Sequence, residues 1–213
     1  MIHDFKNKNI LVLAPHTDDG ELGCGGSISR MLEEGANVFY VAFSTAEQSL
    51  PEGFAPGTLR QEVEQATGAL GIPPENLIVY SYEVRKLSYV RQEILEELVK
   101  IRRQHHFHLV LIPSLHDIHQ DHTTVATEAL RAFKTTGILG YELIWNNLTF
   151  DTTCFVRLEE RHVEAKIKAL SEYNSQAGRV YTGNTFIRAL AITRGTQIGV
   201  QFAEAFEVVR WII

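Results

Sequence analysis

Hydrophobic residues along this chain fall into two alternating kinds of segment. Residues 10–14, 38–43, 77–80 and 109–112 are short, nearly continuous apolar runs, the pattern of strands in a parallel sheet covered on both faces. Between them, apolar positions recur at helical spacing. Leu59, Val63, Ala66 and Leu70 share one helical face and are followed by the stop signals Gly71 and Pro73. Val90, Ile94, Leu98 and Ile101 repeat the pattern, as do Val125, Ala129 and Phe133, while Ile28, Met31 and Leu32 mark a helix that ends before Gly35. Strand and helix in strict alternation imply right-handed crossovers. The expected fold is therefore α/β: a Rossmann-like, doubly wound, mostly parallel sheet with helices on both faces.

The second half is less regular. Residues 141–145, 154–156 and 206–212 read as strands, Val163, Ile167 and Leu170 lie on one helix face, and residues 186–194 read as a further helix. The connection over residues 44–57 contains two prolines and two glycines; its length marks it as a functional loop above the sheet edge. No internal repeat, low-complexity tract or linker interrupts the chain, so residues 1–213 read as one domain.

Composition narrows the class. At 213 residues the chain is long enough to bury a real core, and 45% hydrophobic with 22% charged residues is the balance of a soluble globular protein. No apolar run reaches the ~18 residues of a membrane span. A formal net charge of -6 argues against nucleic acid as a partner. Residues 1–8 lack the apolar stretch of a secretory signal, and Cys24 and Cys154 are too few for a disulfide framework. Both features suit a cytoplasmic protein.

Two polar clusters carry the candidate chemistry. The first, Pro15-His16-Thr17-Asp18-Asp19-Gly20-Glu21-Leu22-Gly23-Cys24-Gly25-Gly26, follows the first strand and opens the first helix. Ligands of open α/β sheets collect beyond the carboxyl ends of strands, so chemistry is expected there. An imidazole and carboxylates suit zinc or iron, and the helix N-terminus favours the carboxylates in their charged form. The glycines permit close approach, to a ligand or to a neighbouring strand. The spacing is not that of a dinucleotide fingerprint. The second cluster, Ser114-Leu115-His116-Asp117-Ile118-His119-Gln120-Asp121-His122, follows the strand at 109–112 and faces the same sheet edge. His119 and His122, three apart at a helix start, can both face one point. His105, His106 and His108 precede that strand and are expected on the surface at its opposite end.

These two motifs resemble the LmbE-like or PIG-L family of metal-dependent deacetylases. The family's H-P-D-D-x-E-x-G-x-G-G stretch reads here from His16 to Gly26 with Thr17 in place of the proline, and its H-P-D-H reads His119-Gln120-Asp121-His122. The resemblance implies that His16, Asp19 and His122 hold a zinc ion (iron or another divalent metal would serve), that Asp18 is the general base, and that His119 stabilises the oxyanion. Asp121 or Asp117 would orient a histidine through its second nitrogen. Arg60, on a helix similar to the family's arginine helix, is the candidate for gripping a substrate anion, and Tyr173 and Gln176, in Tyr173-Asn174-Ser175-Gln176, are candidates for lining the pocket. The stretch Ala203-Glu204-Ala205-Phe206-Glu207-Val208 also resembles the family's C-terminal signature. The implied reaction is hydrolysis of an N-acetyl or other N-acyl group on an amino-sugar-containing small molecule. Family members often assemble, so a homo-oligomer is an open expectation.

Two readings from other classes stand beside it. One is a Rossmann-like module that binds a sugar or nucleotide without catalysis. The other is a non-haem iron oxidoreductase using His16, Asp18 and a distant histidine. Trp145, with Asn146 and Asn147 beside it, reads first as a core tryptophan and second as a platform for a sugar ring; Cys24 reads as a buried packing thiol.

Overall fold

The computed structural model describes residues 5–212. Each strand–helix pair expected in the first half is present. The elements are β1 (Asn9–His16), α1 (Asp19–Glu33), β2 (Asn37–Ser44), α2 (Thr58–Leu70), β3 (Leu77–Val79), α3 (Arg91–Gln104), β4 (Leu109–Pro113), α4 (Gln120–Ala132) and β5 (Gly137–Tyr141). They are followed by β6 (Cys154–Leu158), α5 (Glu160–Ser171), α6 (Asn184–Gln197) and β7 (Phe202–Arg210). The seven strands form one sheet in the order β3-β2-β1-β4-β5-β7-β6. β1 to β5 pair in parallel, while β7 runs antiparallel to both β5 and β6.

Strand side chains alternate between the two faces, and the core divides accordingly. Ile10, Val12, Val38 and Tyr40 pack under α1, α2, α5 and α6. Leu11, Leu13, Phe39 and Val41 pack under α3 and α4. Two covered faces explain why these strands read as continuous apolar runs. β1 and β4 are neighbours whose following helices lie on opposite faces, which makes the gap between their carboxyl ends the topological switch point of the sheet.

The irregular half departs from the sequence reading in two places. The strand expected at 141–145 lies earlier, at Gly137–Tyr141, because Gly137 to Tyr141 register against Leu109 to Pro113 of β4. Beyond it the chain turns away, with Asn146 N–H donating to the Leu143 carbonyl and Leu143 N–H to the Asn147 side chain. The last strand starts at Phe202 rather than at 206. Its early half contains Glu204, a charged residue that is buried.

That burial has a structural cause. α1 breaks at Cys24, where φ is -145° and ψ is 21°. At the break the Lys166 ammonium donates to the Leu22 carbonyl at 2.7 Å, and Glu204 accepts from Gly26 N–H at 3.1 Å and Ser27 N–H at 2.6 Å. Lys166 and Glu204 also bond each other at 2.7 Å. A buried ion pair is thus inserted into the helix ladder where Gly26 N–H would have met Leu22 C=O, and each orphaned backbone group has a charged partner. The Cys24 thiol, buried and pushed up in pKa by that burial, bonds the Gly20 carbonyl at 3.2 Å as a packing group.

Candidate metal centre

Both polar clusters meet at the switch point. His16 is the last residue of β1, Asp18 is the N-cap of α1, and Asp19 opens that helix. His119 caps α4 and His122 lies in its first turn. His16 Nδ1, Asp19 Oδ2 and His122 Nε2 form a triangle with sides of 3.1, 3.2 and 3.2 Å. An ion with bonds of about 2.0–2.1 Å in tetrahedral or octahedral geometry holds adjacent ligands about 2.8–3.4 Å apart, so the triangle fits one zinc-sized ion. Two imidazoles and one carboxylate are also a donor set typical of a catalytic zinc. The ring nitrogens of His16, His119 and His122 lie within 4.8 Å of one another, a looser group than the triangle that includes Asp19. Asp18, the ligand that the iron-oxygenase reading requires, contributes no atom to the triangle.

A carboxylate stands behind each of the two imidazoles. His16 Nε2 meets Asp121 Oδ2 at 3.0 Å, and His122 Nδ1 meets Asp117 Oδ2 at 2.7 Å. Asp121 in turn accepts from Arg85 N–H at 2.5 Å and Leu87 N–H at 3.1 Å, bracing the loop where Arg85 adopts a φ of 67°. Asp117 is held by accepting from His119 N–H at 2.8 Å. Burial opposes the charged form of His16 and His122, but Asp19 beside both, with Asp121 and Asp117 behind, outweighs it and raises both pKa values. Burial likewise opposes the Asp19 charge, and His122 and His16 overcome it, holding that carboxyl well below the usual range. The protons on these imidazoles are the ones a cation would displace.

Asp18 differs from its neighbour. Burial, and then the charge of Asp19, lift its carboxyl to about 6, against the pull of Arg179 and His16. His119 is held below its ordinary value, by burial first and then by the His122 and His16 charges. Its Nδ1 accepts from Asp121 N–H at 3.2 Å, which leaves the proton of the neutral ring on Nε2 as a donor.

Below the first turn lies a further buried carboxyl. Glu21 is fully buried, and that burial lifts its pKa to about 8 although Tyr40 and Tyr173 hydrogen-bond to it. Both tyrosine hydroxyls also reach the Thr17 carbonyl, at 3.0 and 2.6 Å, and so pin the turn that separates His16 from Asp18. A side chain at Gly20 would collide with Tyr40, and one at Gly23 with Tyr141. Gly20 and Gly23 therefore serve close packing on β2 and β5.

These groups open into a pocket of about 270 Å³ whose wall includes His16, Asp18, Asp19, His119 and His122. Ala46 and Ser49 of the 44–57 loop border it, as expected of that loop. Gln176 is on its wall, whereas Tyr173 lies beneath the first turn, 1% exposed. Arg60 is elsewhere: it donates to the Val79 carbonyl at 2.9 Å and lines a separate groove at the β3 edge. The buried Leu59 turns inward to the pocket, and the next residue, about 100° round the helix, turns out. Trp145 is no core residue; it is 37% exposed, lines the pocket and stacks on Tyr181 with ring centroids 3.9 Å apart. Arg179 and Tyr181 complete the wall, and nothing in their sequence spacing marks them. Behind Trp145 and Tyr181 a mostly apolar cavity of about 20 Å³ abuts Lys166 and Glu204 and has room for little more than one water.

Comparison with known proteins agrees with this architecture. An uncharacterized deacetylase of Escherichia coli K12 is 28% identical over 175 residues, covering 80% of this chain and 92% of that protein. The diacetylchitobiose deacetylase of Thermococcus kodakarensis is 22% identical over 224 residues, covering 95% of this chain and 83% of that protein. Among solved structures, a conserved protein of Thermus thermophilus superposes with a TM-score of 0.80 at 25% identity, covering 96% of this chain and 95% of that one. Residues 11–133, which carry both polar clusters, match the profile of PIG-L, GlcNAc-PI de-N-acetylase, and the chain belongs to that family.

Proposed function

We propose that this protein is a zinc-dependent amidase that removes an N-acetyl or related N-acyl group from an amino-sugar-containing small molecule. The observation that carries the reading is the triangle of His16, Asp19 and His122 with a carboxylate behind each imidazole. Its relatives named as deacetylases, one of them acting on diacetylchitobiose, supply the substrate class. Iron(II) or another divalent ion would suit the same donors. Two unpaired cysteines fit a reducing compartment such as the cytoplasm. No helix among the described residues is long and apolar enough to cross a membrane.

A divalent ion in this triangle would polarise the scissile carbonyl and acidify water. Asp18, on the pocket wall and outside the triangle, takes the proton from the attacking water. His119 presents its Nε2–H to the oxygen on which negative charge develops, and the proton taken up by Asp18 is the one that passes to the departing amine as the C–N bond breaks. Asp117 and Asp121 keep the two imidazoles in the tautomer that turns a lone pair towards the triangle.

The decisive experiment measures metal content together with acetate release from a panel of N-acetylated sugars. The expected outcome is about one divalent ion per chain, the one-ion stoichiometry of a catalytic zinc site, with acetate released from at least one sugar. A protein that takes up no metal in chelator-free buffer would return the site to the binding-module reading. Asp121→Asn and Asp117→Asn are each expected to weaken metal affinity by about 10–100-fold, the usual effect of losing a carboxylate behind a ligating histidine. Competition with a chromophoric chelator reads this directly, and wild-type affinity in both variants would remove that role.

A further inference from the structure

We infer that the pocket wall formed by Arg179, Gln176, Trp145 and Tyr181 is an oxyanion subsite, so that the amino sugar this protein selects carries a phosphate or carboxylate group. The inference rests on the amino-sugar reading above and names the substrate class more closely.

Among the described residues, Arg179 is the only lysine or arginine on the wall of this pocket. Arg30, Arg91, Arg131, Arg161, Arg188 and Arg194 each face a carboxylate, and Arg60, Arg85, Arg102 and Arg210 donate instead to neutral oxygens; what sets Arg179 apart is its place on the pocket wall. Arg179 has no carboxylate within 4.0 Å among the described residues. It is held instead by a neutral partner: Nη1 donates to the Tyr181 hydroxyl at 2.6 Å, with the guanidinium 5.7 Å from the ring centre. A guanidinium positioned this way keeps most of its five donors free for a planar, two-point grip on an oxyanion. The same tyrosine stacks on Trp145 at an interplanar angle of 13°, giving an apolar plate beside the cation on which a sugar ring can lie.

Gln176, three residues earlier, shares the turn, since Arg179 N–H donates to its main-chain carbonyl at 3.0 Å. Its side-chain orientation follows from its neighbours. The Ser175 hydroxyl gives its one hydrogen to buried Glu62 at 2.5 Å, so it can only accept from Gln176, and the Gln176 NH2 must face it, at 2.9 Å. The Gln176 side-chain carbonyl is thereby left buried with no hydrogen-bond partner. A sugar hydroxyl is a donor of the kind it lacks. The arginine role expected of Arg60 thus passes to a residue 119 positions further along the chain.

The test is calorimetric titration of glucosamine, glucosamine 6-phosphate and muramic acid into the purified wild-type protein and into Arg179→Ala and Arg179→Lys. At least one anionic sugar should bind about tenfold or more tighter than glucosamine, the scale of one charge-assisted hydrogen bond. That margin should largely vanish in Arg179→Ala and return in part in Arg179→Lys, which restores the charge without the fork. The two anionic sugars distinguish phosphate from carboxylate. Equal binding of all three sugars overturns the inference. So does an anionic preference that survives in Arg179→Ala, which would place the anion on a bound metal. Because binding needs no turnover, an absence of acetate release would count against the amidase reading alone.

Discussion

Asp18→Asn is expected to lower kcat by about 10²–10⁴, the range for removal of a general base, while metal content stays at the wild-type value. The two halves of this expectation come from different facts. Asp18 is on the pocket wall with its carboxyl lifted to about 6, above an ordinary aspartate and close to the working range of a base at neutral pH. Asp19, its neighbour, is the one whose oxygen joins the two imidazoles. The substitution preserves shape and removes only the proton acceptor. Kinetics and metal analysis on one preparation separate the alternatives. Loss of metal together with activity would make Asp18 a ligand and revive the iron-triad reading, and full activity would hand the base role to another group. Asp19→Ala, by contrast, is expected to lose the metal itself.

The largest effect on stability is expected far from the chemistry, at Glu204→Leu. Removing this carboxylate leaves the Lys166 charge buried and strips the Gly26 and Ser27 amides of their acceptor at the break in α1. Breaking one partner of a buried pair costs about 3–5 kcal/mol, which in a domain of this size lowers Tm by roughly 6–20 °C. The double variant Lys166→Met/Glu204→Leu should recover only part of the loss. A buried ion pair can often be replaced by apolar residues at little cost, but here the Leu22 carbonyl and the two amides would still lack partners. Urea denaturation of the wild type, the single variant and the double variant measures both terms. A single-variant cost below about 1 kcal/mol would show that the pair is a bystander to the kink rather than its support.

Most of the parallel half of the sheet was legible in the sequence. Strands covered on both faces must be apolar throughout, and helices covering them must be apolar on one stripe. Both demands act locally and leave periodic traces, as in residues 10–14 and in Leu59, Val63, Ala66 and Leu70. The residues of the candidate metal centre stand out in the sequence for a related reason. Its polar residues crowd into two strand-to-helix turns, where few buried structural roles call for two aspartates and three histidines. Residues 11–133 hold all of it.

What the tertiary structure alone decided is the rest of the pocket and the support beneath it. Glu204 and Glu207 are polar residues in a buried strand, so the period-two pattern fails there; each is tolerated because a partner distant in sequence, Lys166 for one and Ser114 for the other, meets its charge. Arg60 and Arg179 look equivalent as isolated letters, and only the helix rotation at Leu59 and the turn after Gln176 send one to the sheet edge and the other to the pocket. Trp145 reads as core because its own stretch is apolar, yet the chain leaves the sheet at Tyr141 and carries it to the pocket wall. Local sequence specifies what a residue must satisfy within its own element, whereas the partner that satisfies it from a hundred positions away exists only once the sheet is assembled.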